Sequence, residues 1–136
     1  MIKRQFTMYL ENKPGKLAGV IGKLATAKVN IEGISVSEST DVGLIQMVVD
    51  KAPPTEAVLK KLKVPFTQQA VAVLKLPDRP GVLAGGMLKL AKAGVNINYI
   101  YATGHDCQCG CTCECTTFAV VSAPDLRAVE AAWGQK

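Results

Sequence analysis

Apolar and polar residues alternate at 5–10, a β-prone and mostly apolar run fills 70–76, and each stretch stops at a short polar turn. Period-two alternation marks a half-buried strand, whereas apolar residues at i, i+3, i+4 and i+7 mark one face of a helix. Helical spacing follows each turn: Leu17, Val20, Ile21 and Leu24 form one apolar face, and Leu83, Met87, Leu90 and Ala91, at i, i+4, i+7 and i+8, form another. Pro14 and Pro80 are expected at the first helical position, where a missing N–H costs nothing. Lys28 and Gly94 should end these helices, with Gly94 suited to the left-handed C-terminal position. β-rich runs follow at 29–36 and 95–102.

In the first half a polar turn at 37–43 leads to a strand at 44–50. Pro53 and Pro54 then open an amphipathic helix with Ala57, Val58 and Leu62, and 64–66 reads as a short last strand. The second half has a strand at 116–122 and a helix at 125–133, with no evident last strand. The pattern predicts an α+β fold of two ferredoxin-like βαββαβ repeats, each an antiparallel sheet with its helices on one face.

The two halves are copies. Aligning residues 14–34 with the segment 66 positions later gives 13 identities in 21 positions. The expected domains are residues 1–67 and 68–136, the second with a cysteine-rich connection at 103–116. Units of this size bury only about 60% of their unfolded surface, so the sheets are expected to pair edge to edge. Gly19 and Gly85 lie roughly opposite the leucine faces. Either they are tolerated at the surface, or another backbone approaches there.

Net charge is +5, but most lysines stand singly on expected solvated helix faces, and only Lys60, Lys61 and Lys63 cluster. No apolar run approaches the ~20 residues that span a bilayer, so a cytoplasmic protein with no membrane partner is expected. A βαββαβ layout also occurs in RNA-recognition domains, which stack bases on strand aromatics. Here 44–50 has none and 116–122 has only Phe118. No nucleic acid is expected. The chain has one histidine and neither a nucleophile–base motif nor a phosphate loop, so it is not read as an enzyme.

All five cysteines fall within nine residues: Cys107, Cys109, Cys111, Cys113 and Cys115. On an extended segment alternate residues share a face, so the thiols would line one side, and Gly110 would let the segment fold back. Thiolates so gathered suit zinc, Cu(I) or an iron–sulfur cluster. Single-residue spacing resembles metallothionein rather than a zinc ribbon. His105 and Asp106 would be an extra ligand or an outer partner, or His105 is simply a solvated loop residue. Redox thiols, or a cluster with no function, are the alternatives.

A strand, then Asn12/Asp78 with Pro14-Gly15 or Pro80-Gly81, a helix, and Val-Asn-Ile at 29–31 or 95–97 resembles the ACT domain, twice. The closest likeness is to small stand-alone tandem ACT proteins. The resemblance implies a non-catalytic regulatory protein that binds a small ligand, an amino acid above all, where two ACT domains meet. It also implies a homodimer or a regulated partner protein. The ligand carboxylate would sit on the amides of Gly15, Lys16 and Leu17, or of Gly81, Val82 and Leu83, at a positive helix end. Asn12 and Asn30 match side chains that hold the ligand in serine-sensing members, one from each domain; Asp78 and Asn96 take their places in the second repeat. Those members carry a histidine two residues before the loop asparagine, where this chain has Leu10 and Leu76, so an apolar amino acid stands beside serine. Helix capping by Asn12 and Asp78, with turns closed by Asn30 and Asn96, is the purely structural alternative. The other functional alternative is a dedicated metal-binding or metal-sensing protein that uses the ACT pair as scaffold.

Overall fold

The computed structural model describes residues 1–38, 41–104 and 115–134. Its elements run β1 (Ile2–Glu11), α1 (Lys16–Thr26), β2 (Ile31–Glu38), β3 (Val42–Val49), α2 (Ala52–Lys61), β4 (Phe66–Pro77), α3 (Val82–Lys92), β5 (Tyr99–Ala102), β6 (Thr116–Ser122) and α4 (Leu126–Trp133). The fold is α+β, and the chain divides into two compact units. One is Arg4–Gln69; the other joins Met1–Lys3 to Ala70–Lys136.

In the first unit β3 lies between β1 and β2, antiparallel to both. The register sets Phe6 opposite Met47 and Met8 opposite Ile45, so alternate residues of both strands meet on one face. Those side chains pack with Leu10, Val20, Leu24, Val49 and Leu59 into the core under α1 and α2. Burying each large side chain contributes about 1.5–3 kcal/mol. The prolines at 53 and 54 fall in the first turn of α2, where no N–H is needed.

In the second unit β6 pairs with β4 on one side and β5 on the other, setting Ala72 opposite Val121 and Leu74 opposite Ala119. These residues, Leu76, Leu90, Val129 and Trp133 build its core. Asp125 caps α4, its carboxylate accepting the Ala128 N–H at 3.0 Å. The last strand missing from the second repeat is supplied from the start of the chain. Val73 N–H donates to the Met1 carbonyl at 2.7 Å, laying residues 1–3 along the free side of β4. The expected strands at 64–66 and 70–76 are one strand, β4.

Three expectations are corrected. Pro14 and Pro80 are not the first helical residues. The Lys16 N–H donates to the Lys13 carbonyl at 3.3 Å and the Val82 N–H to Arg79 at 3.4 Å, each closing a four-residue turn with proline second and glycine third. Gly15 (φ 84°) and Gly81 (φ 88°) hold the left-handed conformation of a type II turn. A right-handed helix cannot include them, so it starts one residue later. The α3 face is also shifted: Leu83 is 44% exposed and Ala91 is exposed, while Gly86 and Leu90 are buried. Trp133 causes this. Its ring lies against Gly86, where a Cβ would come closer than 3.0 Å to three ring carbons. Finally, β5 begins only at Tyr99 rather than 95.

Candidate functional site

Each Pro-Gly turn borders an open cleft inside its own unit. The first cleft, about 410 Å³, is lined by Tyr9, Glu11, Gly15, Lys16, Lys23 and Lys63 among others. The second, about 540 Å³, is lined by Pro77, Gly81, Val82, Lys89, Thr116 and Trp133 among others. Both volumes lie in the range of small-molecule sites. Gly19 and Gly85 face these openings, and a Cβ on either would meet nothing within 4 Å. They are surface glycines.

The expected carboxylate-binding amides are only partly available. Those of Lys16 and Val82 are used by the turns themselves. Further in, the amides of Leu17 and Ala18 have no acceptor among the described residues, and nor do those of Leu83 and Ala84. Neither α1 nor α3 has a side-chain cap or an acidic residue in its first turn. Their positive ends are thus uncompensated from within. Leu17 is half-buried against the core, and Pro14 and Pro80 are exposed in the turns.

Asn12 and Asp78 do not cap the helices, since Gly15 and Gly81 occupy the cap positions. Their amides tie each turn to the residue just before β3 or β6: Asn12 N–H donates to the Asp41 carbonyl at 3.3 Å, and Asp78 N–H to the Cys115 carbonyl at 2.8 Å. Asn30 is exposed at the far end of α1. Its N–H donates to the Asp50 carboxylate at 2.8 Å, and the Asp50 N–H donates back to the Asn30 carbonyl at 3.1 Å. Asp50, not the Asn30 side chain, closes that turn. Eleven residues of helix, roughly 16 Å, separate Asn12 from Asn30. One unit therefore does not bring them together. Asn96 is exposed at the matching place after α3.

Glu11 carries the clearest electrostatic perturbation at a cleft. Its hydrogen bond and ion pair with Lys13, at 3.0 Å, together with nearby Lys16, hold its carboxyl below the usual range. Cys107, Cys109, Cys111 and Cys113, with His105 and Asp106, lie outside the described residues. Cys115 is half-buried, its carbonyl bound to Asp78. Among the described residues no three His, Cys, Asp or Glu side chains gather to hold a metal, and no helix is long and apolar enough to cross a membrane.

The sequence reading missed Glu11, Lys23, Lys63, Lys89, Thr116 and Trp133 as cleft residues. A signal existed for one of them. Trp133 is the sole tryptophan, and Gly86 replaces the valine that the first repeat has at Val20.

Residues 6–64 match the family model for AHAS small subunit-like ACT domains, so the first unit carries an ACT-like domain. No curated protein matches the sequence. Among solved structures, a protein from Bacteroides thetaiotaomicron superposes with a TM-score of 0.84 at 23% identity, covering 97% of this chain and 86% of that one. The regulatory subunit of aspartate kinase from Thermus thermophilus gives a TM-score of 0.66 at 18% identity, covering 96% and 89%. Its counterpart from Thermus flavus gives 0.58 at 20% identity, covering 98% and 94%. These likenesses are in fold.

Proposed function

We propose that this chain is a non-catalytic regulatory protein that binds a free amino acid at its Pro-Gly turns. One observation carries the reading. Twice, a type II turn delivers an uncapped helix start, with two amides lacking acceptors, to the edge of an open cleft. An amino-acid carboxylate is the small anion such an end accepts. Asn12 and Asn30, or Asp78 and Asn96, would complete the site when the partner domain brings the second of each pair to the first. The ACT-like match and the fold shared with aspartate kinase regulatory subunits support the same reading. A second copy of the chain or a regulated protein would receive the signal.

Calorimetry with each of the twenty amino acids tests this. At least one should bind, and Gly15→Val with Gly81→Val, which block both turns, should abolish it. Absence of heat from all twenty, in metal-free and metal-loaded protein, rejects the proposal.

The five alternating cysteines support a second element, a thiolate site for zinc, Cu(I) or an iron–sulfur cluster on Cys107, Cys109, Cys111, Cys113 and Cys115. Protein purified without oxygen should carry a stoichiometric metal, lost on Cys109→Ser with Cys113→Ser. Metal-free wild type would reject this element alone.

A further inference from the structure

Three lysines and a glutamate line the first cleft. Lys16, Gly19, Val20 and Lys23 are spaced i, i+3, i+4 and i+7 along α1, so they share one helix face, and all four border the cleft. Gly19 leaves the space between the two lysines open, since a Cβ there would meet nothing within 4 Å. Lys63 joins them from the turn after α2, where its φ is 55° and its N–H donates to the Lys60 carbonyl at 3.1 Å. The side chains of Lys23 and Lys63 make no hydrogen bond or ion pair among the described residues. Glu11 is the opposite charge. Lys13 holds its carboxylate at 3.0 Å, which leaves lone pairs for a further donor. The second repeat does not keep this set: Glu11 becomes Pro77 and Lys16 becomes Val82, while Lys23 is kept as Lys89.

We infer that the first cleft takes an acidic amino acid, with Lys23 and Lys63 holding its side-chain carboxylate. The α-carboxylate sits at the start of α1, on the Leu17 and Ala18 amides beside Lys16, and the ammonium group faces Glu11. Lys23 lies about 10 Å further along the helix axis. Long side chains on a helix lean toward its N-terminus, so Lys23 reaches back over Gly19 toward the ligand. A zwitterion with a second carboxylate brings two negative charges and one positive to three lysines and one glutamate. A neutral amino acid leaves Lys23 and Lys63 without a partner. The cleft is open to water, so each ion pair adds little, and salt screens it. The selectivity is therefore a modest preference for the acid over its own amide, strongest at low ionic strength. This inference rests on the ligand-binding reading above and names the ligand class at one of its two turns.

Calorimetry on the full-length protein tests this, with L-glutamate against L-glutamine and L-aspartate against L-asparagine, at about 0.01 M and about 0.15 M ionic strength. At the lower ionic strength at least one acid should bind about threefold or more tighter than its own amide, and the margin should narrow at the higher. Lys23→Ala with Lys63→Ala should remove the margin and leave the affinity for the amide in place. Lys89→Ala, in the second cleft, should leave the margin unchanged. Inorganic phosphate at equal concentration should not displace the acid; displacement would mean that the lysines hold any small anion, and overturns the inference. A margin under about threefold for both acids, or one that survives the double variant, also overturns it. Binding of any other amino acid would then leave the amino-acid reading intact. No heat from any of the twenty removes both.

Discussion

Gly86 and Trp133 are fitted to each other: the indole occupies the space a side chain at position 86 would need. The first repeat solves the same contact differently. Counting from the helix caps, Leu59 matches Trp133, and Val20 matches Gly86; both are buried. A medium pair in one unit has become a small–large pair in the other. Gly86→Ala should destabilise the second unit by about 1–3 kcal/mol, since overpacking outweighs the helix-propensity gain. The double change Gly86→Val with Trp133→Leu should recover most of that loss. Additive losses in chemical denaturation would show that the two positions are not coupled.

Two backbone positions carry a further prediction. Lys28 (φ 58°) and Gly94 (φ 69°) follow α1 and α3 at equivalent places, and both are left-handed. Only glycine adopts that conformation without steric cost, about 1–2 kcal/mol for other residues. Lys28→Gly should therefore raise stability, by less than the full steric gain because glycine loses more entropy on folding. Gly15→Ala should do the reverse at φ 84°. Thermal melts of the two variants should move in opposite directions.

Deleting residues 1–3 removes the segment that flanks β4 in the second unit, including the Met1–Val73 backbone bonds. The second unit should lose protection in hydrogen exchange at β4, while β3 of the first unit exchanges as before. Equal loss in both units would contradict the assignment of these residues to the second.

Tyr101 adds a pH dependence. Burial, with neighbouring Tyr99, pushes its hydroxyl well above the usual tyrosine range. The folded state thus resists its ionisation, and its contribution to stability is complete below the unfolded tyrosine pKa of about 10 and falls as pH rises above it. Tyr101→Phe should flatten the decline in unfolding free energy above about pH 10. An unchanged slope would mean that other groups account for it.

The repeats and the order of strands and helices were legible because period-two and period-3.6 patterns record which side chains face the core. Helix starts were misplaced because proline followed by glycine serves both a helix start and a type II turn, and only the glycine φ decides. The shifted face of α3 was hidden for a similar reason. Gly86 looks like a gap in the apolar stripe until Trp133, 47 residues later, is seen to fill it. The missing last strand could not be read locally, since residues 1–3 provide it from the other end of the chain. The turn residues of the candidate site followed from the motif, but the cleft walls did not. Lys63 and Thr116 reach them from segments far away in sequence.

The most direct test of ligand binding at the Pro-Gly turns is nuclear magnetic resonance of ¹⁵N-labelled protein, following the Leu17, Ala18, Leu83 and Ala84 amides. At saturation with the tightest-binding amino acid, the pair beside at least one turn should show the largest shifts in the spectrum. Their hydrogen exchange should slow as a carboxylate takes up the amides. Saturable binding that leaves all four amides unmoved would contradict the account.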